Sequence, residues 1–244
     1  MIDPDALPET DLTSDSVVPS SGPGGVETDR RLCLAFIADP EARTACESLL
    51  GLVEALWEIP ARVRDPMMGE MRLAWWQEAF DSLLAGEAGG NHPALVALAP
   101  VVRTHGLSGV WLSTLLDAVA SDLAGGGFAD FDAALAYVDQ REVALSALGL
   151  HILAPGHDPH TIQAAARLYG LARLVGQGRM PRDAGLVSFL REARDVARRD
   201  TRTLPEAAFP WVAPATLWQG WLKGPPGPLQ SRLKLTLAVA TGRI

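Results

Sequence analysis

From Asp29 onward, apolar residues return at helical spacing, and the polar breaks between them carry helix-start chemistry. "ADPEA" places Asp39 at an N-cap and Pro40 at the first helical position. There the carboxylate accepts an orphan backbone N–H and the ring sacrifices no hydrogen bond. The pattern predicts a helix from Pro40 to about Ile59, where Pro60 interrupts it. "RDPMM" repeats the device with Asp65 and Pro66 and opens a helix to about Leu84. A shorter helix is expected from about Pro93, and Ser108 caps another through Leu123. "DFDAALAYVDQREVALSALGLHIL" reads as one long helix from about Asp130 to Leu153. Asp158 and Pro159 start the next, followed by helices near 183–200, 214–223 and 228–241. In the last of these, "LKLTLAV" alternates with period two, which is a strand signal. With no partner strand elsewhere and no hairpin chemistry, it is assigned as helix, and the body is expected to be all-α.

Composition changes the picture mainly at the N-terminus. Residues 1–27 are rich in Asp, Ser, Pro and Gly and bury too little apolar surface to offset their ordering entropy, so they are expected to be a disordered tail before one helical domain at 28–244. The chain of 244 residues carries a net charge of −8, but residues 1–29 hold seven acids and no Lys or Arg. The remainder sets 22 acids against 21 bases. A nearly neutral body offers no basic face for nucleic acid. Cys33 and Cys46 lie in apolar helical patterns and are expected to be buried free thiols, which fits a reducing cytoplasm. No signal-peptide pattern and no apolar run of membrane-spanning length is visible, although contact with a membrane surface stays open.

The stretch "RLCLAFIADPEARTACESLLGLVEALWEIPARVRDPMMGEMRLAWWQEAFDSLLAG", followed by "HPALVAL", resembles the squalene/phytoene synthase family, and within it the branch that includes the mitochondrial complex I assembly factor. "WLSTLLDAVASDL" and "YGLARLVGQGRMPRD" fall in the family's order, so the resemblance spans about residues 30–200. It implies an all-α isoprenoid-synthase fold with helices around a central cavity. Active members condense two prenyl diphosphates head to head, using two DxxxD-type motifs on facing helices to hold Mg²⁺ on the leaving group. The requirement is physical. A departing diphosphate in an apolar cavity needs metal neutralisation, Mg²⁺ wants oxygen ligands, and carboxylates four residues apart share one helix face.

The first motif position falls at Glu54-Ala-Leu-Trp-Glu58, with glutamates where aspartates are expected. The alternative is that the pair binds arginines such as Arg62. Asp65 is better explained as an N-cap. The second motif belongs on the helix holding "AAARLYGLARLVGQGRM", yet residues 159–182 contain no Asp or Glu and offer Arg167, Arg173 and Arg179 instead. Half of the metal clamp is missing, so no metal site and no catalytic residue is assigned. Mg²⁺ is expected only if the chain is after all a prenyltransferase. A guanidinium at the second motif would need a counter-ion, and Glu54 or Glu58 paired with Arg167 or Arg173 is the arrangement expected. Asp117 and Asp122 lie about 140° apart on a helix and make a poor shared site. A solvated or capping role is expected of them, with cavity or ion-pair roles as the alternative.

Elsewhere the signals are structural. No HExxH, GxSxG, P-loop or Rossmann pattern occurs. Trp75 and Trp76 point about 100° apart, so one fills the core and the other sits at its edge or on a partner surface. Trp218 and Trp221 share a face and are expected to dock on the body, with a membrane interface as the alternative. Arg191, Arg194 and Arg198 are interleaved with Glu192, Asp195 and Asp200, as on a solvated helix. The expectation is a non-catalytic assembly or accessory factor that binds a protein partner such as a respiratory complex subunit. It would be cytoplasmic, or peripheral at the inner membrane. The rivals are a working prenyl-diphosphate transferase and a lipid- or isoprenoid-binding protein.

Overall fold

A computed structural model describes residues 27–128 and 130–244. The tail reading for residues 1–26 lies outside the described residues. Glu27, the last residue that composition assigns to the tail, is buried against the body at 1% exposure.

The described residues are helical throughout and form no strand pairing beyond one isolated bridge between Leu222 and Gly224. In order they are α1 (Thr28–Leu34), α2 (Pro40–Arg62), α3 (Pro66–Leu84), α4 (Pro93–His105), α5 (Gly109–Ala124), α6 (Phe131–Val138) and α7 (Ala144–Leu153). These are followed by α8 (His160–Gly176), α9 (Ala184–Asp200), α10 (Phe209–Val212), α11 (Trp218–Trp221) and α12 (Pro228–Thr241). Asp39 accepts from Glu41 N and Asp65 from Met67 N, each at 3.0 Å, so the Asp-Pro starts of α2 and α3 form as their chemistry dictates. His92 caps α4 through Nδ1, which accepts from Ala94 N at 3.2 Å.

Two boundaries differ from the sequence reading. α2 runs through Pro60 to Arg62: so close to the end of the helix, the missing N–H costs one bond of the last turn and does not stop it. The long helix at 131–153 is continuous but contains a π-helical turn, Asp139–Val143, between α6 and α7. Such a turn inserts one extra residue into the ladder and rotates the side chains that follow it.

Leu49, Leu50, Leu52, Val53 and Leu56 of α2 are fully buried and form the centre of the core. α2 packs chiefly on α4 and α5, while α8 packs chiefly on α9 and the π turn; α7 touches both α2 and α8. The segment 209–221 folds back over α8, α7 and α1. Glycines admit this close packing. A Cβ at Gly149 would collide with the Trp211 indole, and one at Gly170 would stand 2.6 Å from Val138 Cγ1 and 2.8 Å from Glu142 Cγ. Trp218 and Trp221 are buried, as docking on the body requires. Trp76 is buried against Phe80 and His92, while Trp75 remains 43% exposed at the edge. Cys33 and Cys46 are buried free thiols, and burial pushes both up to about 12, so neither is a reactive thiolate.

Candidate functional site

At the position of the first acidic motif, α2 turns its two glutamates away from the centre of the molecule. Glu54 accepts two bonds from Arg31 of α1, at 2.6 Å from Nε and 2.7 Å from Nη2. Both side chains are about two-fifths exposed. Glu58 pairs with Arg62 one turn on, at 3.3 Å, on a more exposed part of the helix. The inward residues of the motif are Leu56 and Trp57, between them in sequence and buried, and Trp57 carries the polar contacts. Its ring carries the Arg141 guanidinium at 4.6 Å, and its Nε1 donates to Asp122 at 2.7 Å. The glutamates therefore bind arginines, and the expected pairing of Glu54 or Glu58 with Arg167 or Arg173 does not form. The physical reason is distance through the fold: α2 and α8 are not neighbours, and each glutamate has a nearer guanidinium.

The buried charges lie deeper, where α1, the π turn and α8 meet. Three arginines (Arg30, Arg141, Arg173) and two glutamates (Glu27, Glu142) are each at most 5% exposed. Glu142 is the hub. Its Oε2 receives Arg30 at 3.1 Å, and its Oε1 receives Arg173 at 3.0 Å and Arg141 at 3.2 Å. Glu27 faces the same three guanidiniums, at 3.2 Å from Arg30, 3.2 Å from Arg141 and 3.7 Å from Arg173. Arg30 also donates to Ser146 Oγ at 2.9 Å and to the Trp211 carbonyl at 3.0 Å. Asp29 completes the balance at the rim, accepting from Tyr169 Oη at 2.8 Å and Trp221 Nε1 at 3.0 Å. Three guanidiniums thus face the two glutamates, with Asp29 alongside, and the aromatic faces of Tyr169, Trp211 and Trp57 cover the guanidiniums.

Electrostatics separates the two glutamates. Burial alone would raise the Glu142 carboxyl, but Arg173, Arg141 and Arg30 overcome it and hold it down at about 2. Glu27 is pushed up, by burial first and then by the facing Glu142 carboxylate, with the arginines offsetting only part. Glu142 is accordingly the counter-ion on which the three guanidiniums depend.

A second polar centre adjoins the first through Trp57. Asp122 of α5, with its side chain 10% exposed, accepts from Trp57 Nε1, from Tyr137 Oη at 2.9 Å and from Arg179 Nη2 at 2.5 Å. It ties α5 to α2, to α6 and to the loop after α8. The solvated or capping role expected of Asp122 is thus corrected: the last turn of α5 points it inward at two aromatic donors. Asp117, on the outer face of α5, is exposed as expected. Arg167 lies at the periphery, paired with Asp139 through two bonds of 2.7 Å.

This arrangement does not fit Mg²⁺-diphosphate. α8 presents arginine where a second carboxylate pair would stand, both glutamates of the first motif are taken by arginines, and among the described residues no group of three or more His, Cys, Asp or Glu is placed to hold a metal. The void beside the cluster, lined by Arg30, Ser146, Tyr169 and Trp211, measures about 10 Å³. It has room for no more than one water, against the ~300–1,000 Å³ of a small-molecule site.

Sequence reasoning missed Glu27, Arg30, Arg141 and Glu142. One signal was present. "ALSALGLHIL" is apolar on every side, and a helix apolar all round is buried, so charges immediately before it in "DQREV" must find partners inside.

In comparison with known proteins, residues 25–207 match the family model described as squalene/phytoene synthase. No curated protein matches the chain. The match spans α1 through α9 and includes both the remnant motif on α2 and the arginine-bearing α8. With its all-helical body and isoprenoid-synthase-like fold, the chain belongs to the squalene/phytoene synthase family.

Proposed function

We propose that this chain is a non-catalytic member of its family, acting as an assembly or accessory factor of the respiratory complex I type. The observation that carries the reading is the fate of α8. Its Arg173 is locked in a buried cluster with Glu142 and Glu27, in the place where an active relative needs carboxylates for Mg²⁺. Ionising a prenyl diphosphate requires the developing charge to be neutralised at the moment of bond cleavage. A site whose guanidiniums are already held by Glu142 and Glu27 offers no carboxylate to bind Mg²⁺ on the leaving group.

A protein partner is the better occupant for what the surface provides. Met67, Met71 and Trp75 follow one another at four-residue steps along α3, and are 69%, 61% and 43% exposed. Adaptable methionines with a tryptophan at the end of the stripe suit a protein contact. A respiratory complex subunit is the proposed client, with the protein cytoplasmic or resting at the inner membrane. No helix of the described residues is long and apolar enough to cross a membrane.

The test is enzymatic. Purified protein incubated with Mg²⁺ and farnesyl or geranylgeranyl diphosphate is expected to give no condensed product above the blank. A product that disappears in Glu54→Gln would restore the prenyltransferase reading. Capture of tagged protein from native membranes is expected to bring down a respiratory complex subunit. Loss of that subunit in Met71→Asp would place the contact on α3.

A further inference from the structure

α12 is apolar on two opposite faces. Leu235 and Ala238 point inward and are buried. On the other side Leu229, Leu233 and Leu237 are 82%, 72% and 63% exposed. These three lie four residues apart, within about 40° of Leu233 as the helix is viewed down its axis. Arg232 and Lys234 stand about 100° to either side of Leu233, so each edge of the leucine stripe carries a cation. Lys223 before the helix and Arg243 after it are exposed as well. No Asp or Glu follows Glu206 in the chain.

We propose that α12 is a membrane-docking helix that lies in the plane of an anionic bilayer, with Leu229, Leu233 and Leu237 in the acyl boundary and Arg232 and Lys234 at the headgroups. Three features select this occupant. A stripe bordered by cations on both edges matches a surface that is apolar within and negatively charged at its rim, where long basic side chains reach up to the phosphates. Residues 207–244 carry Lys223, Arg232, Lys234 and Arg243 and no Asp or Glu, so the attraction of this segment to anionic lipid is not opposed by acidic side chains. Three leucines also fall far short of the ~800 Å² that each partner contributes to a stable protein interface, whereas partitioning into lipid needs no such area. The tryptophans that the sequence offered for this role, Trp218 and Trp221, are buried against the body, so the contact belongs to α12 alone. The proposal stands apart from the catalytic question: a synthase or an accessory factor could each dock in this way.

The experiment is co-sedimentation of the full chain with vesicles of phosphatidylcholine alone and of phosphatidylcholine mixed with phosphatidylglycerol. Binding is expected to the mixed vesicles, to weaken as salt is raised, and to be small with phosphatidylcholine alone. Leu233→Asp, and separately Arg232→Glu with Lys234→Glu, are each expected to weaken it about tenfold or more. Melting temperatures close to wild type are expected for exposed Leu233 and Arg232 and half-buried Lys234, and Leu229→Ser provides a milder apolar variant. Failure to bind the mixed vesicles would overturn the proposal, as would equal binding by all variants. A lipid-free dimer dissociated by Leu233→Asp would also overturn it and give the stripe to a second copy.

Discussion

Two sets of glutamates can be compared directly. Glu54 and Glu58 sit on α2, at the position that the sequence resemblance gives to a first acidic motif; Glu27 and Glu142 sit at the start of α1 and in the π turn, in no motif. Both sets bind arginine. The α2 pair does so at the surface, where water screens the charges and competes for the bonds, so each bridge is worth little. The second pair does so in the buried interior, among three guanidiniums whose ion pairs are made with Glu142 and Glu27. A buried ion cluster gives little net stability against an apolar replacement, yet removing one member is costly because it strands the rest. The position that looks functional in sequence is therefore energetically marginal, and the position that looks like ordinary helix is the one where losing a single charge costs most.

Breaking the second set gives the largest effect. Glu142→Gln removes the hub for Arg30, Arg141 and Arg173 and is expected to cost about 3–5 kcal/mol in urea unfolding. Arg173→Met is expected to cost a similar amount. The double variant should lose less than the sum, because the second change removes a charge that the first had already stranded.

Close approach gives the next effect. Gly170→Ala brings a methyl group against Val138 and Glu142 and forces the π turn away from α8. A loss of about 1–3 kcal/mol is expected, whereas Gly51→Ala, inside α2 with nothing near its Cβ, is expected to stabilise by about 0.5–1 kcal/mol.

Acid sharpens the comparison further. The folded Glu142 carboxyl is depressed to about 2, so its contribution is present above the ordinary carboxylate range and is lost as pH falls through about 4.5 toward 2. Glu27 is shifted upward and works in the opposite direction, so its protonation offsets part of the loss. Wild type should therefore lose stability in this window, while Glu142→Gln should show a flatter profile or gain. The smallest effect belongs to α2: Glu54→Gln is expected to cost less than about 1 kcal/mol, and Glu58→Gln about 0.5 kcal/mol or less.

Much of the fold could be read from the sequence because its signals are local. Asp39-Pro40 and Asp65-Pro66 start helices by chemistry contained within four residues. The strand-like alternation of "LKLTLAV" has a helical explanation. Leu233, Leu235 and Leu237 point outward, inward and outward around α12, so a helix with two apolar faces imitates period two. The ion cluster could not be read in the same way. Glu27 and Arg141 are 114 residues apart, and the π turn that aims Arg141 and Glu142 inward leaves no local pattern. The missing carboxylates of α8 were visible in the sequence, but the partners of its arginines were not. Arg173 and Arg167 each have a nearer acid, Glu142 and Asp139, than any on α2.

We propose that the protein's own ion pairs occupy the interior in which an active relative would hold Mg²⁺ and a prenyl diphosphate. The most direct test is the melting temperature of the full chain with Mg²⁺ and farnesyl diphosphate together, compared with each alone. A ligand at a hundred times its dissociation constant stabilises a native state by about 2.7 kcal/mol, which in a domain of this size raises the melting temperature by roughly 5–10 °C. The account predicts a shift of less than about 1 °C at every concentration, beneath the scale that such binding would produce. A saturable rise that requires both Mg²⁺ and the diphosphate, and is lost in Glu54→Gln or Glu58→Gln, would contradict it.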